Sequence, residues 1–175
     1  QAVVKQGSEI IYEHAKKTGF TGKIEDICVY QDTDSEFFSF DAILKSKNIK
    51  LLNDKNEVSN QAHSIIKEYG DVLNEEINEW AKNELNSIDS RYFFKREKIC
   101  DVVLLQAKKM YILHILDKEG VKRSLKEILR VGTGKYYIKV NGYKTESEKI
   151  KLKQWNLVAV NINVMIGYTI YLYNA

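Results

Sequence analysis

The sequence predicts an α+β fold in which helices pack against an antiparallel sheet, followed by a β-rich C-terminal segment. Apolar residues recur at helical spacing in residues 1–18 and 58–86, whereas most other apolar residues form short runs typical of strands. An Asn-Gly pair at 141–142 lies between two such runs and is typical of a β-hairpin. An apolar content of 44% and a charged content of 29% are those of a globular chain.

The first helix is predicted over residues 1–18, where Val4, Ile11 and Ala15 lie near helical spacing and Gly19 follows as a stop signal. A hairpin is predicted next, with strands at 24–30 and 36–40.

Two carboxylates, Asp32 and Asp34, lie between these predicted strands. Residues two apart in an extended chain point to the same face, and carboxylate oxygens on one face suit Mg²⁺ or Mn²⁺. The alternative is an ordinary polar β-turn, since Asp, Thr and Ser are common turn residues.

A second helix is predicted over 58–86, with a break expected near Gly70. Two strands follow at 91–99 and 102–116, and a turn at 117–120. The composition changes near 122–134, so we expect two units, residues 1–121 and the β-rich tail 122–175. Within the tail the sequence predicts one or two helical turns at 124–130 and strands at 136–140, 148–152, 155–162 and 168–173.

Charge, cysteine content and hydropathy limit the kinds of function that we expect for this chain. A net charge of +3 does not by itself indicate nucleic-acid binding. Cys28 and Cys100 lack the spacing of a zinc site and are expected to be buried thiols in a reducing compartment. No run of 18 apolar residues and no signal peptide is present, so we expect no membrane partner and a cytoplasmic location.

Four short stretches of residues 1–121 occur in the order found in one enzyme family: 5–7 (KQG), 30–35 (YQDTDS), 94–98 (FKREK) and 107–111 (AKKMY). Together they resemble the palm of family B DNA polymerases, especially those of tailed phages. The resemblance implies a palm-like antiparallel sheet with packed helices. It also implies template-directed nucleotidyl transfer, in the host cytoplasm if the chain is phage-encoded.

The resemblance implies a catalytic and metal-binding role for Asp32 and Asp34. Two Mg²⁺ (or Mn²⁺) ions there would activate the primer 3′-hydroxyl and stabilise the leaving pyrophosphate. Glu97 matches an acidic residue on the neighbouring strand that assists metal binding. The alternative for Glu97 is a surface ion pair with Lys95 or Arg96.

Lys109 and Tyr111 match the family motif that holds the DNA backbone near the primer end. A lysine there contacts phosphate, and a tyrosine hydroxyl hydrogen-bonds the sugar-phosphate chain. The implied partners are primer-template DNA and a deoxynucleoside triphosphate. The alternative is a half-buried strand with a lysine at its edge.

The chain departs from the family pattern at several positions. Gln31 replaces the usual glycine, Glu36 stands where an apolar residue is common, and Met110 replaces a basic residue. The family's other catalytic aspartate motif, its nucleotide-binding helix and its fingers domain do not occur in this sequence. We therefore expect the chain alone not to polymerise DNA efficiently.

Two other functions compete with this one. Residues 152–161 and 167–175 resemble part of a laminin-G or concanavalin-like jelly roll, which suggests a non-catalytic β-rich binding module. There Trp155 is either a core residue or a sugar platform. The other is a self-splicing intein-type domain from a polymerase gene, with Ala2 and the stretch 173–175 as disabled junctions. The helix predicted over 58–86 argues against splicing.

Overall fold

The computed structural model describes residues 1–55, 57–107, 110–122, 129–131, 137–139, 142–143 and 165–172, with only the backbone described for 102–107, 110–114 and beyond residue 121. The helices are α1 (Ala2–Lys17), a 3-10 helix (Ile24–Asp26), α2 (Asp41–Ser46) and α3 (Asn60–Leu85). The strands are β1 (Cys28–Gln31), β2 (Ser35–Ser39), β3 (Tyr92–Ala107), β4 (Met110–Lys118), β5 (Val121–Lys122), β6 (Leu129–Val131), β7 (Tyr137–Lys139), β8 (Gly142–Tyr143) and β9 (Met165–Leu172). The predicted α+β class is confirmed.

The strands form one antiparallel sheet in the order β1-β2-β9-β3-β4-β6-β7-β8, with β5 paired to β4. β9 comes from the tail and lies between β2 and β3 of the first segment. Residues 1–121 and 122–175 therefore contribute strands to the same sheet, and their division into two units stays a prediction.

The break between β3 and β4 differs from the prediction. β3 continues to Ala107, so the predicted break between 99 and 102 is wrong. The strand continues because Cys100 is fully buried and pairs with Ile115 of β4. Shifts of register on both sides of Cys100 are β-bulges, which absorb the irregular apolar pattern without ending the strand.

The long helix α3 is continuous, so the break predicted near Gly70 is wrong. Ser59 caps its start by accepting a hydrogen bond from the Ala62 N–H, and Asn86 ends it in the left-handed conformation with φ of 52°. Buried side chains continue on both sides of Gly70, and their packing outweighs the helix cost of a glycine, about 1 kcal/mol. Of the helices described, none combines the length and apolarity needed to cross a bilayer.

Smaller differences occur at element ends. The first hairpin strand begins at Cys28, not at residue 24, because Ile24–Asp26 forms the 3-10 helix. The sequence did not predict α2. Residues 129 and 130, predicted as helical, lie in β6, while 124–128 are outside the described residues. The strands predicted at 148–152 and 155–162, with Trp155, also lie outside them.

The core lies between the sheet and the two long helices. α1 packs against α3, β1 and β2, and α3 packs against β3. The largest fully buried side chains come from α1, α2, α3, β2 and β3 and from the residues just before β1 and α2: Ile11, Ile27, Phe38, Phe40, Ile43, Ile66, Tyr69, Leu73, Ile77, Phe94 and Ile99. This packing holds the β1–β2 hairpin against α1.

Candidate metal-binding hairpin

The acidic turn joins β1 to β2. Gln31 and Glu36 are the last paired residues of the two strands, and the Asp32 N–H donates to the Ser35 carbonyl at 2.9 Å to close the turn. Asp32 Oδ1 accepts the Thr33 N–H at 2.8 Å. Asp32 is partly exposed and Asp34 is exposed. Both carboxylates are thus accessible at the tip of one hairpin.

A cavity of about 300 Å³ lies beside this turn and is lined by Gln1, Ala2, Lys5, Gln31, Asp32 and Thr33. Its size is at the lower end of small-molecule sites. Lys5, on the first turns of α1, supplies a positive charge to the same cavity wall as the Asp32 carboxylate. One positive and one negative side chain thus line the same cavity.

Glu97 does not lie at the turn. Thr169 of β9 pairs with Ser35 on one side and with Lys95 on the other, so Lys95 is the β3 residue level with the tip. Glu97 lies two residues farther along β3. Since β9 lies between β2 and β3, Glu97 is two strand spacings, or about 10 Å, from the hairpin. Its carboxylate pairs with Lys98 at 3.2 Å.

The neighbouring cations of β3 have other partners. Lys95 pairs with Glu119 at 2.8 Å, and Arg96 pairs with the buried Asp117 at 2.6 Å. The ion pair expected between Glu97 and Lys95 or Arg96 is therefore replaced by one with Lys98. Within the described part of the chain no three His, Cys, Asp or Glu side chains gather as a metal cluster.

The predicted DNA-binding residues are placed only in part. Lys109 lies outside the described residues. The backbone of Tyr111 lies in β4 and pairs with Leu105 of β3, although the prediction placed both residues in one strand, 102–116. The roles of Lys109 and Tyr111 stay predictions.

The environment of Glu36 in the hairpin is one that the sequence does not predict. Its side chain is fully buried, and Oε1 accepts hydrogen bonds from Ser8 Oγ at 2.6 Å and from Gln31 Nε2 at 2.9 Å. Burial raises the pKa of Glu36 to about 7, although the bonds from Ser8 and Gln31 partly offset this effect. The negative charge that Glu36 adds near the aspartates is thus reduced near neutral pH.

Gln31 and Glu36 are each a departure from the family motif, but nothing in the sequence connects the two residues. Their contact follows from the hairpin register, which places them directly opposite each other. Ser8 carried no sequence signal of its own. Cys28, expected to be buried, is only half-buried, and its Sγ lies 3.0 Å from Ser8 Oγ.

Comparison of the chain with protein-family models, with curated proteins and with solved structures finds no match.

Proposed function

We propose that the β1–β2 hairpin binds a divalent cation through Asp32 and Asp34, as part of a palm-type nucleotidyl-transfer site like that of family B DNA polymerases. The observation that carries the proposal is the pair of accessible carboxylates on one tight turn at the end of two sheet strands. The reaction class, nucleotidyl transfer, is proposed from the order of the sequence motifs that resemble those of family B DNA polymerases.

The residues present suit Mg²⁺ or Mn²⁺. Mg²⁺ in nucleotide enzymes is commonly held by one or two carboxylates together with water and substrate phosphates, so two aspartates form an adequate protein contribution. When bound, the metal would stabilise charge on the transferring phosphoryl group. Lys5, in the wall of the adjoining cavity, would attract the phosphates by its positive charge.

A two-carboxylate site is expected to bind metal weakly in the absence of substrate. Since Glu97 lies about two strand spacings from the hairpin, or about 10 Å, the remaining coordination positions would be filled by water and phosphate. We therefore expect a deoxynucleoside triphosphate to strengthen Mn²⁺ binding at the turn, and Lys5→Met to reduce that gain.

Mn²⁺ titration followed by paramagnetic broadening of amide signals tests the metal site. The amides of residues 32–35 should broaden first in the wild type and should not do so in the variant Asp32→Asn, Asp34→Asn. Asp54→Asn, at another exposed turn, is the matched control and should bind as the wild type does. Unchanged broadening at 32–35 in the double variant would overturn the proposal.

Fluorescence anisotropy with labelled primer-template DNA tests the nucleic-acid partner. Lys109→Met should weaken binding at low salt and lower the slope of log affinity against log salt by about one. Lys82→Met, an exposed lysine on α3, is the control and should leave affinity and slope unchanged. Equal effects of the two variants would contradict a specific role for Lys109.

A further inference from the structure

Three side chains form a hydrogen-bonded group directly beneath the acidic turn. Ser8 Oγ donates to Glu36 Oε1 at 2.6 Å, Gln31 Nε2 donates to the same oxygen at 2.9 Å, and Gln31 Nε2 lies 3.2 Å from Ser8 Oγ. We call Ser8, Gln31 and Glu36 the polar brace. The brace joins α1, β1 and β2 at one point.

The position of the brace is tied to the turn. Gln31 immediately precedes Asp32, and Glu36 follows Asp34 by two residues. The two brace residues are cross-strand partners, so their hydrogen bond closes the last rung before the turn. Ser8 then fixes this rung to α1, a helix that belongs to the core.

The polar brace stabilises the hairpin less than an apolar contact of similar size would. Glu36 is fully buried, and its Oε2 has no hydrogen-bond partner among the described residues. Burying a carboxyl group with an unsatisfied oxygen costs more than burying an apolar side chain of similar size. Phe37 and Phe38, both buried beside it, show that this strand accepts apolar residues. What a polar network adds over an apolar contact is a fixed direction, because hydrogen bonds are directional.

We propose that the polar brace is a positioning device that fixes the orientation in which the turn presents Asp32 and Asp34 to a divalent cation. This inference rests on the proposed function of the hairpin. The brace residues do not touch the metal; they act by holding the backbone on either side of its ligands. Residues that hydrogen-bond directly to metal ligands change metal affinity by about 10- to 100-fold when replaced, so we expect residues that act through the backbone to give an effect at the lower end of this range.

Two substitutions at one position separate positioning from packing and from charge. Glu36→Leu keeps the approximate volume and removes the acceptor. Glu36→Gln removes the negative charge but keeps an oxygen that can accept from both Ser8 and Gln31. If the brace positions the turn, Glu36→Leu should weaken Mn²⁺ binding at Asp32 and Asp34 about tenfold, while Glu36→Gln should bind nearly as the wild type does.

Urea unfolding distinguishes a positioning role of Glu36 from a purely structural one. Glu36→Leu is expected to unfold at the same urea concentration as the wild type or at a higher one, because it removes the buried carboxyl group. Weaker metal binding together with undiminished stability supports positioning. Metal binding that falls only in step with stability, or falls equally in Glu36→Gln, overturns it.

The order of the turn can be measured without metal. This measurement distinguishes failure of the positioning inference from failure of the proposed metal-binding function. ¹⁵N relaxation of the amides of residues 32–35 should show increased motion in Glu36→Leu and in Ser8→Ala, but not in Glu36→Gln. If the wild type binds no Mn²⁺ while turn order still depends on the brace, the metal function fails and the bracing of the turn stands. If turn order is the same in all variants, the brace is refuted whatever the metal result.

Discussion

The side-chain amide of Asn74 pairs with the backbone of Phe94 as a neighbouring strand would. Its Nδ2 donates to the Phe94 carbonyl at 3.0 Å, and its Oδ1 accepts the Phe94 N–H at 2.7 Å. Asn78 makes the same pair of bonds with Tyr92, at 2.8 and 3.1 Å. Residues four apart on a helix rise about 6 Å, which nearly matches the advance of about 6.6 Å over two strand residues. α3 thus covers the edge of β3 ahead of Lys98, where its pairing with β4 begins.

Loss of this pairing should destabilise the fold. Asn74→Ala leaves the Phe94 N–H and carbonyl without these partners, so we expect the free energy of unfolding in urea to fall by about 1–3 kcal/mol. Asn83→Ala, an exposed asparagine of the same helix, is the control and should raise stability by about 0.5 kcal/mol through helix propensity. Equal changes in the two variants would show that the Asn74 amide contributes nothing beyond propensity.

The ion pair between Arg96 and Asp117 joins β3 to β4 in a largely buried setting, where Asp117 is 1% exposed. Arg96→Met should lower the free energy of unfolding by about 3 kcal/mol, because it leaves a buried carboxylate unpaired. The double variant Arg96→Met, Asp117→Leu should recover most of this loss. Lys95→Met breaks the exposed pair with Glu119 and should have a much smaller effect. A double variant as unstable as Arg96→Met would contradict the explanation by an unpaired charge.

Much of the fold follows from local patterns in the sequence. The presence of α1, α3 and the hairpin is predicted correctly, apart from the break expected near Gly70 and the start of the first hairpin strand, because the spacing of apolar residues reports which face of each element is buried. The accessible position of Asp32 and Asp34 follows from the turn residues themselves.

The parts that the sequence did not predict depend on contacts between distant elements. Nothing local indicates that β9 inserts between β2 and β3, because strand order is set by long-range pairing. For the same reason nothing local in the sequence indicates that the Glu36 side chain is buried against α1. Asn74 carried no signal as a polar residue on a helix, since its amide acts on a strand twenty residues away in sequence.

The pKa of Glu36 gives stability a defined dependence on pH. In the folded chain this pKa is about 7, above its ordinary value of 4.5. Below pH 4.5 the carboxyl group is protonated in both states and its contribution is largest. As pH rises from 4.5 to about 7, the unfolded chain releases the proton first, so the free energy of unfolding falls by about 3 kcal/mol in total.

Glu36→Gln should remove this part of the pH dependence. Urea unfolding from pH 4.5 to pH 8 (a range set by the two pKa values) should therefore show the variant gaining stability relative to the wild type as pH rises. Glu75→Gln, at an exposed position of α3, is the control, and its curve should run parallel to that of the wild type. A Glu36→Gln curve parallel to the wild type would mean that Glu36 does not retain its proton on folding.

Gly7 makes room for Glu36 on the surface of α1. A methyl group added at the Gly7 Cα would lie 2.7 Å from Glu36 Oε2 and 3.1 Å from Phe94 Cζ, too close for both. Helix propensity alone would make Gly7→Ala stabilising by about 1 kcal/mol. The steric conflict in a packed core instead predicts a loss of about 1–3 kcal/mol, because the glutamate must move out of its hydrogen bonds.

Gly70→Ala is the comparison for this glycine, because Gly70 is also helical and lines the cavity between α3 and β3. It should stabilise the chain by up to about 1 kcal/mol, so the two substitutions should have opposite signs in urea unfolding. The loss from Gly7→Ala should shrink in the background Glu36→Ser, where the shorter side chain no longer meets the methyl group. A loss that stays the same in that background would assign the conflict to Phe94 and not to the carboxyl group of Glu36.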